Sequence, residues 1–155
     1  MSVSQNKQSN STTSTEQNRA LALRYAEEGW GTEPGWEKVW DELVSLDLIY
    51  HFNSAAQPIV GLEANKEFNK SLFQGFPNIR QQIEDVIVEG DKVVLRSTLQ
   101  GTNTGEFLGI PPTGKFVKVN NFKLLQISDG QIVEIWYECN LLEVMQQMGL
   151  IPRTN

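Results

Sequence analysis

Apolar residues recur along this chain first at helical and then at strand spacing. From Met1 to about Thr15 there is no periodicity, and Ser, Thr, Asn and Gln dominate, the composition of a disordered leader. Thr13 with Glu16, and Ser14 with Gln17, stand at capping-box spacing and predict a helix start at the end of that stretch. In the run that follows, Leu23, Ala26 and Trp30 share a face with Leu21 and Tyr25 beside it, and Gly29, Gly31, Pro34 and Gly35 break the helix. Trp36 to about Val44 predicts a second helix, with Trp36, Val39, Trp40 and Leu43 on one side. Leu46 to Phe52 is a β-prone run ending at His51-Phe52-Asn53. Gly61 to about Gln74 predicts a third helix through Ala64, Phe68 and Leu72, closed by Gly75 and Pro77.

The pattern then changes to alternation. It predicts strands over Ile79 to Glu89, Lys92 to Thr102, Lys115 to Ser128 and Gln131 to Cys139. Glu89-Gly90-Asp91 and Ser128-Asp129-Gly130 read as tight hairpin turns. A final helix carries Leu141, Val144, Met145 and Met148 on one face, with Gly149 as its C-cap and Pro152 beyond it. Helices first and long hairpins after is an α+β order.

Strand parity sorts the side chains into two faces. Val133, Ile135, Tyr137 and Cys139 oppose Ile132, Glu134, Trp136 and Glu138, with Asn140 continuing the second set if no bulge intervenes. Val93, Leu95, Ser97 and Leu99 oppose Val94, Arg96, Thr98 and Gln100. Val117, Val119, Asn121, Lys123, Leu125 and Ile127 oppose Phe116, Lys118, Asn120, Phe122, Leu124 and Gln126. One face is expected to pack on the helices. The other is too apolar to stay bare, and a homodimer joined sheet to sheet is the economical expectation.

Composition narrows the function classes. The 155 residues suffice for one domain with a real core. A net charge of −6 argues against nucleic-acid and anionic-membrane surfaces. Cys139, the one cysteine, has no intrachain disulfide partner, and neither a membrane span nor a signal core is visible, so a cytoplasmic location is expected. One histidine and one cysteine make no usual zinc site, and there is no phosphate loop, dinucleotide fingerprint or nucleophile elbow.

The loop Gly105-Glu-Phe-Leu-Gly-Ile-Pro-Pro-Thr-Gly114, with Ile132-Val-Glu-Ile-Trp136 and Leu142-Glu-Val-Met-Gln-Gln-Met-Gly149, resembles the SnoaL-like polyketide cyclase (ester cyclase) family, in the superfamily shaped like nuclear transport factor two. The resemblance covers roughly Asn18 to Pro152 and is strongest after Asp91. It implies a curled antiparallel sheet forming a half-open cone around the N-terminal helices, one domain over residues 16–155 after a leader over 1–15, no cofactor, and a small hydrophobic molecule in the cavity.

The family resemblance also implies the site. His51 stands at a strand end beside Asn53, where relatives place a cavity histidine, and histidine suits proton transfer near neutrality. The bland alternative is a half-buried histidine bonded to a backbone carbonyl. Relatives carry an acid/base Asp where this chain has Asn140, and an amide holds an oxyanion but cannot cycle a proton. Asn140 equally fits an N-cap of the last helix. Asn103 stands where many relatives have a histidine, and its alternative is a turn residue. Glu138 and Glu134 offer carboxylates, or are solvated strand residues. Trp136 offers a flat wall, and Trp30, Trp36 and Trp40 are core or wall. Arg96 and Lys123 read as snorkelling or paired residues able to steady an enolate, and Asn121 shares the parity of Lys123. The expected catalytic set is His51, Asn140 and Glu138, and the expected ligand contacts are Asn53, Arg96, Asn103, Asn121 and Trp136, with no metal. An acid/base enzyme on a hydrophobic carbonyl compound, a non-catalytic binder and a plain dimerisation domain all remain open.

Overall fold

The computed structural model describes residues 4–31, 34–53 and 55–153, with side chains described from Thr13 onward. Helices α1 (Ser4–Glu28) and α2 (Trp36–Leu43) precede strand β1 (Val44–Phe52), a short β2 (Ile59–Val60) and helix α3 (Leu62–Gly75). Strands β3 (Arg80–Glu89), β4 (Lys92–Thr102), β5 (Phe116–Ser128) and β6 (Gln131–Cys139) follow, and α4 (Leu141–Gln147) closes the chain. The six strands form one open sheet in the order β2-β1-β6-β5-β4-β3. This is the expected α+β cone, with one qualification: β1 pairs with β6 in parallel, so the sheet is mixed. A parallel neighbour needs a long crossover rather than a hairpin, and the chain from β2 to β5 supplies it.

Local chemistry explains the turns. Asp129 and Gly130 both take positive φ (50° and 74°) between Ser128 and Gln131, the conformation a two-residue hairpin favours. One register shift changes a face. The pairing moves from Gln126↔Glu134 to Ile127↔Ile132, so Val133 is the extra residue of a bulge. Ile132 therefore turns inward with Ile135 and Tyr137, whereas unbroken alternation placed it outside.

The core lies between the inner sheet face and the helices. Ala22, Tyr25 and Ala26 of α1, Trp30 after it, and Trp40 of α2 pack on Val93, Leu95, Leu125, Ile132 and Ile135. Leu23 stays half-buried, so the helix is rotated from the face expected through it. In α3, Ala64 is exposed and Asn65 and Asn69 are buried instead, because their amides bond backward to the carbonyls of Gly61 and Asn65.

Helix α1 begins at Ser4, well before the helix start expected from the capping spacings at Thr13 and Ser14. Ser, Thr, Asn and Gln are middling helix formers, and a helix anchored downstream extends into them at little cost. In sequence, residues 4–12 are all polar. Deleting residues 1–12 is accordingly expected to leave the melting temperature within about 2 °C of the full chain, and a loss of several degrees in a thermal scan would show that this segment docks on the domain.

Candidate active site

The inner sheet face and the helices leave an apolar cavity of about 60 Å³, several times the minimum that holds one water. Strands supply Leu99, Val117, Val119, Tyr137 and Cys139, and α3 and α4 supply Asn69, Leu72 and Val144. Trp30 and Phe107 close it. Of the four tryptophans only Trp30 lines the cavity; Trp40 is buried in the helix layer with its Nε1 donating to Gly29 O at 2.6 Å, and Trp136 lies on the opposite sheet face. At less than half of the roughly 150 Å³ that takes up benzene in an engineered protein cavity, the space admits a short chain as it stands, and a ring once the side chains around it open somewhat. A polycycle would have to displace side chains.

Phe107 reaches the cavity because the loop between β4 and β5 is tied down from within. Asn103 is fully buried and uses all of its amide: Nδ2 donates to Gly75 O and Gly105 O, and Oδ1 accepts from the Thr113 N–H and hydroxyl. Gly105 passes so close to α3 that a Cβ there would stand 1.8 Å from Gln74 O. The geometry brings Phe107 edge-on to Phe76, with ring centroids 5.2 Å apart.

The other expected site residues scatter. His51 points to the outer face, stacked on Trp136 (centroids 5.2 Å, 6° between planes), with Nε2 2.7 Å from Glu134 Oε1. Glu138 is exposed on that same outer face, and Arg96 pairs there with Asp85. Parity places each of them outward: His51 follows the buried Tyr50, Arg96 lies between the buried Leu95 and Ser97, and Glu138 follows the buried Tyr137. Asn53, at φ 46°, exchanges two hydrogen bonds with the Cys139 backbone and so fastens the end of β1 to β6. Asn140 is exposed and its Oδ1 accepts from the Glu143 N–H, an N-cap of α4. Asn140→Ala is expected to cost about 1 kcal/mol, and Asn140→Asp to keep wild-type stability, because Asp caps equally well and suits the helix N-terminus. Urea melts of both variants check this; an Ala variant as stable as wild type would remove the cap from the account.

The titratable groups that do line the cavity are held neutral. Burial raises the phenols of Tyr50 and Tyr137 well above the ordinary tyrosine range and pushes the Cys139 thiol up as well. No carboxylate or imidazole lines it among the described residues.

Behind the Trp30 and Tyr137 walls sits a residue that sequence reasoning assigned to snorkelling or pairing. Lys123 is 1% exposed and has no acidic partner among the described residues. Its Nζ donates to Gln81 Oε1 at 3.1 Å and lies over the rings of Trp30 (4.8 Å), Tyr25 (5.8 Å) and Tyr137 (5.8 Å). Desolvation lowers its pKa from 10.5 to about 7. Ser97 Oγ lies within hydrogen-bond reach of both Asn121 Oδ1 (2.8 Å) and Gln81 Oε1 (3.3 Å), and Asn121 Nδ2 is buried with no partner. The signal was legible: Asn121 and Lys123 occupy two consecutive inward positions between Val119 and Leu125, where a strand buried on that face calls for apolar residues.

Comparison with known proteins bears on the fold. The family model for SnoaL-like polyketide cyclases matches residues 20–148. The structure is similar to that of a SnoaL-like polyketide cyclase from Jannaschia sp. CCS1, at 40% identity and a TM-score of 0.85, covering 90% of this chain and 96% of that one. It is similar to a polyketide cyclase from Bacillus cereus at 27% identity and a TM-score of 0.70, covering 87% and 82%. The polyketide cyclase IdmH from Streptomyces antibioticus shares the fold, at 24% identity and a TM-score of 0.73, covering 86% and 99%. No protein of curated function matches the chain in sequence.

Proposed function

This chain belongs to the SnoaL-like polyketide cyclase family, and on that premise we propose that its cavity takes up a small hydrophobic carbonyl compound. The supporting observation is the lining: apolar and aromatic side chains surround a cavity whose phenols and thiol are all neutral near pH 7. Such a wall favours an uncharged, flat or short-chain body through burial alone. Proton transfer by His51 or Glu138 requires a substrate on the outer sheet face, since neither side chain is on the cavity side. Binding is therefore the leading reading. Cofactor-free cyclase or isomerase chemistry stands second, supported by family membership and by Lys123, the buried group that titrates near neutrality beside the cavity.

Acetophenone, a neutral aromatic ketone, is a suitable calorimetric probe. Saturable binding is expected in the wild type and its loss in Val119→Phe, which fills the cavity from the sheet. No binding to the wild type, together with no small molecule released from the purified protein in native mass spectrometry, would sink the reading.

The protein is further proposed to act as a cytoplasmic homodimer through the outer sheet face. His51, Trp136, Leu124, Val94 and Ile87 form one cross-strand row there, and Phe122 in the next row is half exposed. A row that is apolar on four of its five strands is costly to leave in water. Light scattering is expected to give a dimer at micromolar concentration, and Phe122→Asp to shift it toward monomer. A wild-type monomer overturns this assembly. Among the described residues, no helix is long and apolar enough to cross a membrane.

A further inference from the structure

We propose that Lys123 and Asn121 form a receptor for an oxygen anion: the carboxylate or enolate oxygen of a small hydrophobic molecule whose apolar body occupies the cavity. The inference rests on the cavity reading above and adds to it the polar end of the ligand.

The cluster is rich in donors and short of acceptors. Lys123 Nζ carries three N–H bonds when charged, and the structure gives one of them an oxygen partner, Gln81 Oε1. Asn121 Nδ2 brings two more N–H bonds with no partner at all, at 0% exposure. Ser97 has a single proton, so it satisfies either Gln81 Oε1 or Asn121 Oδ1 at one time. The groups facing Lys123 are Tyr25 from α1, Trp30 after it, Gln81 from β3 and Tyr137 from β6. None is a carboxylate, and buried cations are ordinarily paired. Ring faces attract a cation but do not replace a hydrogen-bonded counter-charge. An anionic oxygen would accept from Nζ and Nδ2 together, and would turn an isolated buried charge into a hydrogen-bonded pair.

The cluster also adjoins the cavity. Asn121 is the cross-strand partner of Cys139, a lining residue, and the next inward position after Val119, another lining residue. Trp30 and Tyr137 border both the cavity and Lys123. A ligand with a ring against Val119 and Leu99 would direct a substituent oxygen past Cys139 toward Asn121. A water could meet the Asn121 amide, but it would leave the lysine charge without a counter-ion.

The probes are benzoate and acetophenone, which share a ring and differ in the anionic oxygen, titrated into the full chain by calorimetry at about pH 6 and about pH 8.5. Benzoate is expected to bind at least about tenfold tighter than acetophenone at the lower pH, where Lys123 is charged, and to lose most of that advantage at the higher pH. Lys123→Met should abolish the preference, so that benzoate binds no tighter than acetophenone at either pH. Asn121→Asp should do the same by a different route, since an internal carboxylate then occupies Lys123, so a folding failure of one variant leaves the other as the test. Acetophenone binding with no benzoate preference in the wild type overturns the receptor while leaving the cavity reading intact. So does a preference that survives in either folded variant. Failure of the wild type to bind either probe overturns both.

Discussion

Replacing Lys123 with methionine is expected to make the protein more stable at about pH 6.5 by several kcal/mol, and the gain should shrink steadily as pH rises. The folded pKa of Lys123 is lowered from 10.5 to about 7 by desolvation. Below pH 7 both the folded and unfolded chains carry the charge, and the folded chain bears the full cost of keeping it dry. Three to four pKa units correspond to up to about 5 kcal/mol. Between about 7 and 10.5 the unfolded chain binds the proton and the folded chain does not, so wild-type stability rises with pH through that window. Methionine has similar reach, fills the same space against Trp30 and Tyr137, and carries no charge. The difference between variant and wild type isolates this group from the tyrosines and Cys139, whose raised pKa values act in the opposite direction at higher pH. Urea denaturation at about pH 6.5, 7.5 and 8.5 reads it out. A methionine variant less stable than wild type at the lowest pH would mean that Lys123 is already paired. A cost of this size, kept in a small domain whose total stability is only about 5–15 kcal/mol, is the kind of local conflict expected at functional sites.

Much of the frame was legible because periodicity and turn chemistry report it directly. Asp129-Gly130 fixed one hairpin, Gly149 with its φ of 77° ended α4, and the alternation of β4 and β5 held over their full lengths. The misses have separate physical causes. Alternation says nothing about a bulge, so Ile132 was placed outside and the Val133 insertion went unseen. Parity separates two faces but does not say which one borders a cavity; His51, Glu138, Trp136 and Arg96 stand on the face opposite the one whose Tyr137 and Cys139 line it. The resemblance drew attention to residues at family positions. Lys123 was not among the residues it pointed to, and its inward parity was the evidence for it. Asn103 was noticed for what it lacks as a proton carrier, whereas its four hydrogen bonds are visible only once α3 and the loop are brought together.

Those bonds make Asn103→Ala the second substitution with a large expected effect, a loss of about 3 kcal/mol. Alanine removes two donors and an acceptor from a fully buried position. Gly105 O and the Thr113 N–H lose their amide partners outright, while Gly75 O keeps its bond from Gly105 N at 3.2 Å. Each buried group left unpaired costs about 1–3 kcal/mol, and the cost is cumulative here because the groups lie in one loop. The backbone pairs from Asn103 N to Lys115 O and from Gly114 N to Asn103 O survive, so the ends of β4 and β5 stay together and the damage is confined to residues 104–113. That segment holds Phe107 over the cavity. Acetophenone affinity should therefore fall along with stability, and protease cleavage should appear within the loop. Asn103→Asp should be no better than alanine, since it keeps the acceptor for Thr113 but buries a charge against the carbonyls of Gly75 and Gly105. Asn103→His should recover part of the loss, because an imidazole offers one donor and one acceptor. Urea melts of the three variants set the order His above Ala and Asp. An alanine variant within about 0.5 kcal/mol of wild type would show that the loop is held instead by the Phe107–Phe76 contact and the close approach of Gly105 to α3.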